Sequence, residues 1–145
     1  WKILSLIFGM LAISIAMDKV GLIDLVVSST MAAIPNPGPL LMLGFIYLLT
    51  TTLTEILSNN AVAVLLTPIA IGVAQQLGVD PRPFVVAVMF AASVSFATPI
   101  GYQTNTFVYN AGGYKFSDFL RIGIPLNILM MLVAMLVIPW FWPLQ

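Results

Sequence analysis

Two short polar stretches hold the residues able to do chemistry. The first is Ser58-Asn59-Asn60, set between the apolar runs 39–53 and 61–74. The second is Thr98-Pro99, with the polar run 102–106 behind it. Ser58, Asn59, Asn60, Thr98, Thr104 and Asn105 supply neutral oxygens, a ligand set that suits a hard cation such as sodium. Glu55 is the one acidic residue within an apolar run. A charge at mid-bilayer costs roughly 3 kcal/mol, so Glu55 is expected to face the protein interior, either protonated or hydrogen-bonded to Thr51 one helical turn back. Its role stays open between a proton site, a part of the cation cage and a structural brace. Taken singly, each Ser, Thr or Asn reads as a group that satisfies freed backbone or joins helices. Taken as a set, Ser58-Asn59-Asn60 with Thr98-Pro99 reads as a site.

The setting is a membrane. Of 145 residues, 61% are hydrophobic and 7% charged, with a mean hydropathy of +1.09. A soluble domain carries about a quarter charged residues, so this chain is expected to be integral to a bilayer. Long apolar runs without period-2 alternation favour helices over a barrel. A net charge of zero leaves no basic patch for nucleic acid. Cysteine and histidine are both absent, which removes disulfides, thiolates and the commonest general base and metal ligand. An intramembrane enzyme needs a nucleophile–base pair or a metal site, and Glu55 alone does not supply one. A purely structural subunit is the weaker alternative, because two broken elements would cost it stability without a use. The opening Trp1-Lys2 is read as a cut within a longer, transporter-sized protein.

The elements that position these residues follow from the apolar runs and their breakers. Residues 1–17 are expected to be a transmembrane helix ending at Asp18-Lys19. Residues 20–34 form a shorter interfacial helix, and 35–39, rich in proline, form a turn. Residues 39–77 form a helical hairpin with arms 40–57 and 61–77 and its tip at 58–60. The joining residues are too few and too weakly hydrated for an exterior loop, so the tip is placed at membrane depth. Unwound backbone survives there only where it lines a cavity or is buried in protein. Residues 83–112 form a broken helix that stops at 97–101, because Pro99 lacks an N–H and clashes with the Ser95 carbonyl. Residues 117–143 form the final span, with Ser117 as N-cap, Asp118 in the first turn and Trp140 and Trp142 at the far interface. Thr50, Thr51, Thr52 and Thr54 are expected to bond back to their own helix, and Asn127 to join helices. Lys2, Lys115 and Arg121 against Lys19 and Arg82 give a small charge bias that puts the first side in the cytoplasm.

Two interrupted elements in one short membrane chain point to a secondary-transporter site. The free carbonyls where one helix ends present partial negative charge, and the free N–H groups where the next begins present partial positive charge. A cation suits the first end and an anion the second. The hairpin offers this pair at 57 and 61; the broken helix offers it at 95–97 and 104–106.

At Thr54-Glu55-Ile56-Leu57-Ser58-Asn59-Asn60 and Ala97-Thr98-Pro99-Ile100-Gly101-Tyr102-Gln103-Thr104-Asn105, the chain resembles the divalent anion:sodium symporter family. It is similar in particular to bacterial sodium/sulfate-type members that also carry TrkA-C domains. The resemblance spans essentially the whole chain and matches the family's C-terminal repeat. It implies an all-α integral membrane fold: the C-terminal inverted-repeat half of a secondary transporter, with one re-entrant helical hairpin and one discontinuous transmembrane helix. It implies that Ser58, Asn59, Ala97 and Thr98 bind sodium. It further implies that Ser58, Asn59, Asn60, Thr98, Thr104 and Asn105 meet the anionic substrate. Asn60 stands where the family has Thr, which bears on the substrate contact. Ile100-Gly101-Tyr102-Gln103 replaces the Pro-Asn of dicarboxylate members and leans towards sulfate or another inorganic oxyanion. The implied partners are a small anionic solute, the lipid bilayer, an N-terminal repeat with a second tip, and a second copy in a homodimer. Sodium is cargo rather than a prosthetic group, and the implied location is the bacterial inner membrane, crossed several times. The alternative is proton-coupled anion exchange or arsenite-type efflux, with Glu55 carrying the proton.

Overall fold

A computed structural model describes residues 2–33 and 37–144, and every regular element among them is an α-helix. In chain order they are α1 (Lys2–Lys19), α2 (Leu22–Ala33), α3 (Pro39–Thr54), α4 (Asn59–Leu77), α5 (Arg82–Ala92), α6 (Gln103–Gly112) and α7 (Phe116–Phe141). Residues 34–36, which hold part of the expected proline-rich turn and the end of the expected interfacial helix, lie outside the described residues.

Local chemistry sets the helix ends. Pro39 sits at the start of α3, where its missing N–H would have had no partner. Ser58 caps α4 by accepting the Ala61 N–H, and α4 then runs through Pro68 to Leu77. Pro83 falls in the first turn of α5. The start of α7 departs from the expectation: Lys115, not Ser117, is the N-cap. The Asp118 carboxylate accepts the Lys115 N–H at 2.8 Å, which moves the cap two residues upstream.

Packing centres on three helices. α5 lies against both α3 and α4, which also touch each other; α7 covers α3 and α5, and α1 and α2 flank α4. Tyr47, Leu43, Leu66, Val73, Phe84 and Val88 are buried there. Ala70 and Ala74 on α4 and Ala87, Ala91 and Ala92 on α5 are buried as well. In lipid, where the tails are as apolar as leucine, small residues that let backbones approach are what hold helices together. α7 exposes Ile122, Leu129, Leu132, Leu136 and Phe141, a face suited to acyl chains.

Among the described residues, α4 and α7 are long and apolar enough to cross a membrane, and α3 and α5 are shorter apolar helices. At about 1.5 Å per residue, the 26 residues of α7 reach roughly 39 Å. α1 has 18 residues with Lys2, Asp18 and Lys19 among them, and falls outside that pair.

Two interruptions differ in detail from the expectation. α3 ends at Thr54, three residues short of the expected 57, and Asn59 and Asn60 belong to the first turn of α4. α5 ends at Ala92, with Ser93 at its C-cap, before the expected stop near 97. The steric effect of Pro99 explains a break close to Ser95. The earlier ending has another cause: the polar groups of 95–98 bond to the α3–α4 junction instead of continuing a helix.

Candidate functional site

The α3–α4 junction and the link between α5 and α6 meet, and Glu55 joins them. Its Oε1 accepts the Ala97 N–H at 3.0 Å and its Oε2 accepts the Thr98 N–H at 2.8 Å. The Thr98 hydroxyl donates to the Glu55 backbone carbonyl at 2.6 Å and accepts the Gly101 N–H at 3.2 Å. Asn127 of α7 donates from Nδ2 to Glu55 Oε1 at 2.7 Å. Glu55 is 9% exposed. An ionised carboxylate is acceptor-only, with two oxygens, and here both are engaged by N–H donors. The expected bond to Thr51 is not made; Thr51 Oγ1 is buried without a partner among the described residues. The link amides and Asn127 lie at the carboxylate, and they take the bonds that Thr51 was expected to supply.

Neighbouring bonds tighten the same joint. Ser95 Oγ donates to the Thr54 carbonyl at 3.2 Å. Asn105 Nδ2 donates to the Ser95 carbonyl at 2.8 Å and to the Thr98 carbonyl at 3.1 Å, and Thr106 Oγ1 donates to the Pro99 carbonyl at 2.6 Å. The start of α6 is thus tied back onto the link that precedes it.

Glycine makes the approach possible at two places. A Cβ on Gly101 would overlap Ser95 Oγ and lie 2.6 Å from the Thr54 carbonyl oxygen. A Cβ on Gly123 of α7 would overlap the Phe96 carbonyl and the Ala97 Cα. At Gly123 backbone lies on backbone; at Gly101 the Ser95 hydroxyl shares the contact with the backbone of Thr54 and Glu55.

A cleft of about 240 Å³ opens where the two interruptions face each other, lined by Ser58, Asn59, Asn60, Gly101, Tyr102 and Gln103. Asn59 Oδ1 accepts from Thr54 Oγ1 at 3.0 Å, and the same hydroxyl lies 2.8 Å from the Ala92 carbonyl. A threonine hydroxyl has one hydrogen, so the Asn59 oxygen and the Ala92 carbonyl share a single donor. The carbonyls of Leu57 and Ala97 accept no hydrogen bond among the described residues.

The sequence-derived residues therefore separate. Ser58, Asn59 and Asn60 line the cleft. Ala97 and Thr98 are not among the residues lining it; their N–H groups are held by Glu55. Asn105 uses its amide hydrogens to brace the link. Thr104 is exposed and is not among the residues lining the cleft. Thr50 and Thr52 bond back to their own helix as expected, through the Ile46 and Leu48 carbonyls, whereas Thr51 Oγ1 has no such bond among the described residues and Thr54 reaches Asn59 and Ala92 instead. Asn127 does join helices, and its partner is Glu55. Sequence reasoning named Thr54, Ser95 and Gly101 without the contacts they make here, and it missed Gly123. Gly101 carried a signal, since glycine beside a polar break suits close backbone approach; Gly123, set between two isoleucines within α7, carried none of that kind.

An all-helical, strongly apolar chain whose polar groups converge where helices end has the form of a membrane transport domain. The profile of the citrate transporter (CitMHS) family matches residues 1–143, and the chain belongs to that family. It is 44% identical over 145 residues to an uncharacterized transporter of Synechocystis sp., covering 100% of this chain and 24% of that protein. It is 40% identical over 89 residues to sodium/sulfate cotransporter 1 of Chlamydomonas reinhardtii, covering 61% of this chain and 10% of that protein. It is 34% identical over 138 residues to solute carrier family 13 member 2 of Oryctolagus cuniculus, covering 95% of this chain and 23% of that protein. The chain thus spans between 10% and 24% of the length of these relatives. The resemblance to the divalent anion:sodium symporters holds, the family is integral to membranes, and these relatives are transporters by name rather than enzymes.

Proposed function

We propose that this chain forms one part of a longer sodium-coupled anion symporter of the plasma membrane, and that its cleft is one of the transporter's ion and solute sites. The observation that carries the proposal is the convergence of Ser58-Asn59-Asn60 with Gly101-Tyr102-Gln103 across one cleft. α3–α4 acts as a re-entrant hairpin and α5–α6 as a discontinuous helix. Sodium, as cargo, takes the Asn59 side-chain oxygen with the carbonyls of Leu57 and Ala97, which have no other partner among the described residues. When Thr54 gives its hydrogen to Ala92, the Asn59 oxygen is released to the ion without leaving a buried hydroxyl unbonded. Ser58 and Thr98 complete the surroundings of the ion.

The N-termini of α4 and α6 supply partial positive charge beside it, and the anion meets Ser58, Asn59 and Asn60 there. Coupling is then a free-energy linkage: each ligand raises the affinity for the other by the same factor. The names of the relatives support sulfate as the anion, and the family description supports citrate as the second candidate. The proton-carrier alternative for Glu55 has weaker support, because both of its oxygens are committed to N–H donors of the link and of α7.

The test is uptake of radiolabelled sulfate, and separately of citrate, into proteoliposomes holding the full-length transporter. An inward sodium gradient is expected to drive uptake, and replacing sodium with choline is expected to abolish it. Uptake that follows a pH gradient and ignores sodium would overturn the proposal.

A further inference from the structure

We infer that α7 acts on the ion site from behind: Asn127 is a positioning residue that, with Gly123, fixes the Ala97–Thr98 link against the α3–α4 junction and so sets sodium affinity. This rests on the sodium reading above. Gly123 and Asn127 are four residues apart on α7 and so share one face. At Gly123 that face rests on the backbone of Phe96 and Ala97. At Asn127 it reaches Glu55 Oε1, the oxygen that also accepts the Ala97 N–H.

Three partners therefore hold one carboxylate, and Asn127 is the only one of them that does not belong to the link. Without it, Glu55 would be oriented only by the amides it is meant to orient. The chemistry of Asn127 suits this role better than simple packing. Its Oδ1 is buried with no partner among the described residues. An apolar residue could pack here without burying an amide, so what the asparagine supplies is the Nδ2 donation to Glu55. Asn127 does not line the cleft, so any influence on the ion passes through Glu55 and the link. Partners that orient a ligand in this way change ion affinity by about 10–100-fold when removed.

The experiment uses the full-length transporter with Asn127→Ala, Asn127→Gln, Glu55→Gln and the Asn127→Ala/Glu55→Gln pair. Three transport quantities are measured: the sodium concentration for half-maximal uptake, the anion KM at saturating sodium, and the maximal rate per folded protein. Hydrogen exchange of the peptide containing residues 96–99 is followed in choline buffer. For Asn127→Ala, the sodium requirement is expected to rise about tenfold or more, with faster exchange at 96–99 and a smaller change in maximal rate. Asn127→Gln, which keeps the amide donor, is expected to recover part of both effects. The double variant is expected to be little worse than Glu55→Gln alone, because the two residues act as one unit.

Unchanged exchange at 96–99 in Asn127→Ala, or additive effects in the double variant, would overturn the inference. So would a loss confined to abundance and maximal rate. Should Asn127→Ala fail to accumulate, Asn127→Ser is judged by the same criteria. Wild-type uptake indifferent to sodium would overturn the sodium reading and with it the affinity clause, while the exchange measurement still decides whether α7 positions the link.

Discussion

Glu55 and Thr98 are joined at two points. The Thr98 N–H donates to the Glu55 side chain at 2.8 Å, and the Thr98 hydroxyl donates to the Glu55 backbone carbonyl at 2.6 Å. Residues 43 positions apart are thereby fixed in both place and orientation. Glu55→Gln replaces one acceptor oxygen with an NH2 group facing other donors. It is expected to destabilise the solubilised transporter by about 2–4 kcal/mol, read as a lower thermal unfolding midpoint. An unchanged midpoint would count against the clasp.

Gly101→Ala and Gly123→Ala each place a methyl group into backbone at the two points of closest approach. Each is expected to cost about 1–3 kcal/mol and to abolish uptake. Gly38→Ala, where nothing lies within 4 Å of the added Cβ, is the matched control and is expected to behave as wild type in both assays.

Asn59→Ala and Ser58→Ala are expected to differ in kind. Asn59→Ala removes the oxygen assigned to sodium, so the sodium concentration for half-maximal uptake should rise while the protein stays folded. Ser58→Ala removes a cap whose bond to the Ala61 N–H is 3.4 Å long. The capping loss is expected to be about 0.5–1 kcal/mol, measured by thermal unfolding.

Thr54→Val keeps the shape of a buried side chain and removes its hydroxyl. The loss of a hydrogen bond to Ala92 or Asn59 is expected to cost about 1 kcal/mol of stability. Uptake assays at graded sodium should show a changed sodium dependence, because the Asn59 oxygen loses its competing donor. Identical sodium curves for wild type and variant would separate Thr54 from the ion site.

Much of the architecture was legible because the breakers are strong. Pro39 and Pro83 mark helix starts, where a missing N–H is tolerated, while Pro99 and Ser58-Asn59-Asn60 mark interruptions without fixing where the preceding helix stops. Periodicity could not locate the ends of α3 and α5. Those depend on tertiary bonds from Ser95, Ala97 and Thr98 to residues about 40 positions away. The partner of Glu55 was misjudged for the same reason: Thr51 is near in sequence, but the link amides are near in space. Asn105 shows the converse, since a residue type able to bind a ligand is instead occupied by the carbonyls of the link. The α7 cap moved because a carboxylate three residues into a helix can serve the start as well as a serine can.

The bare contacts at Gly101 and Gly123 limit how the molecule can move. Where a side chain fills a joint, a change of rotamer opens it; where main chain meets main chain, no such hinge exists. Separating the Gly101 side of the cleft from the α3–α4 junction would therefore mean parting main chain from the Thr54 carbonyl and the Glu55 Cα, not turning a side chain aside.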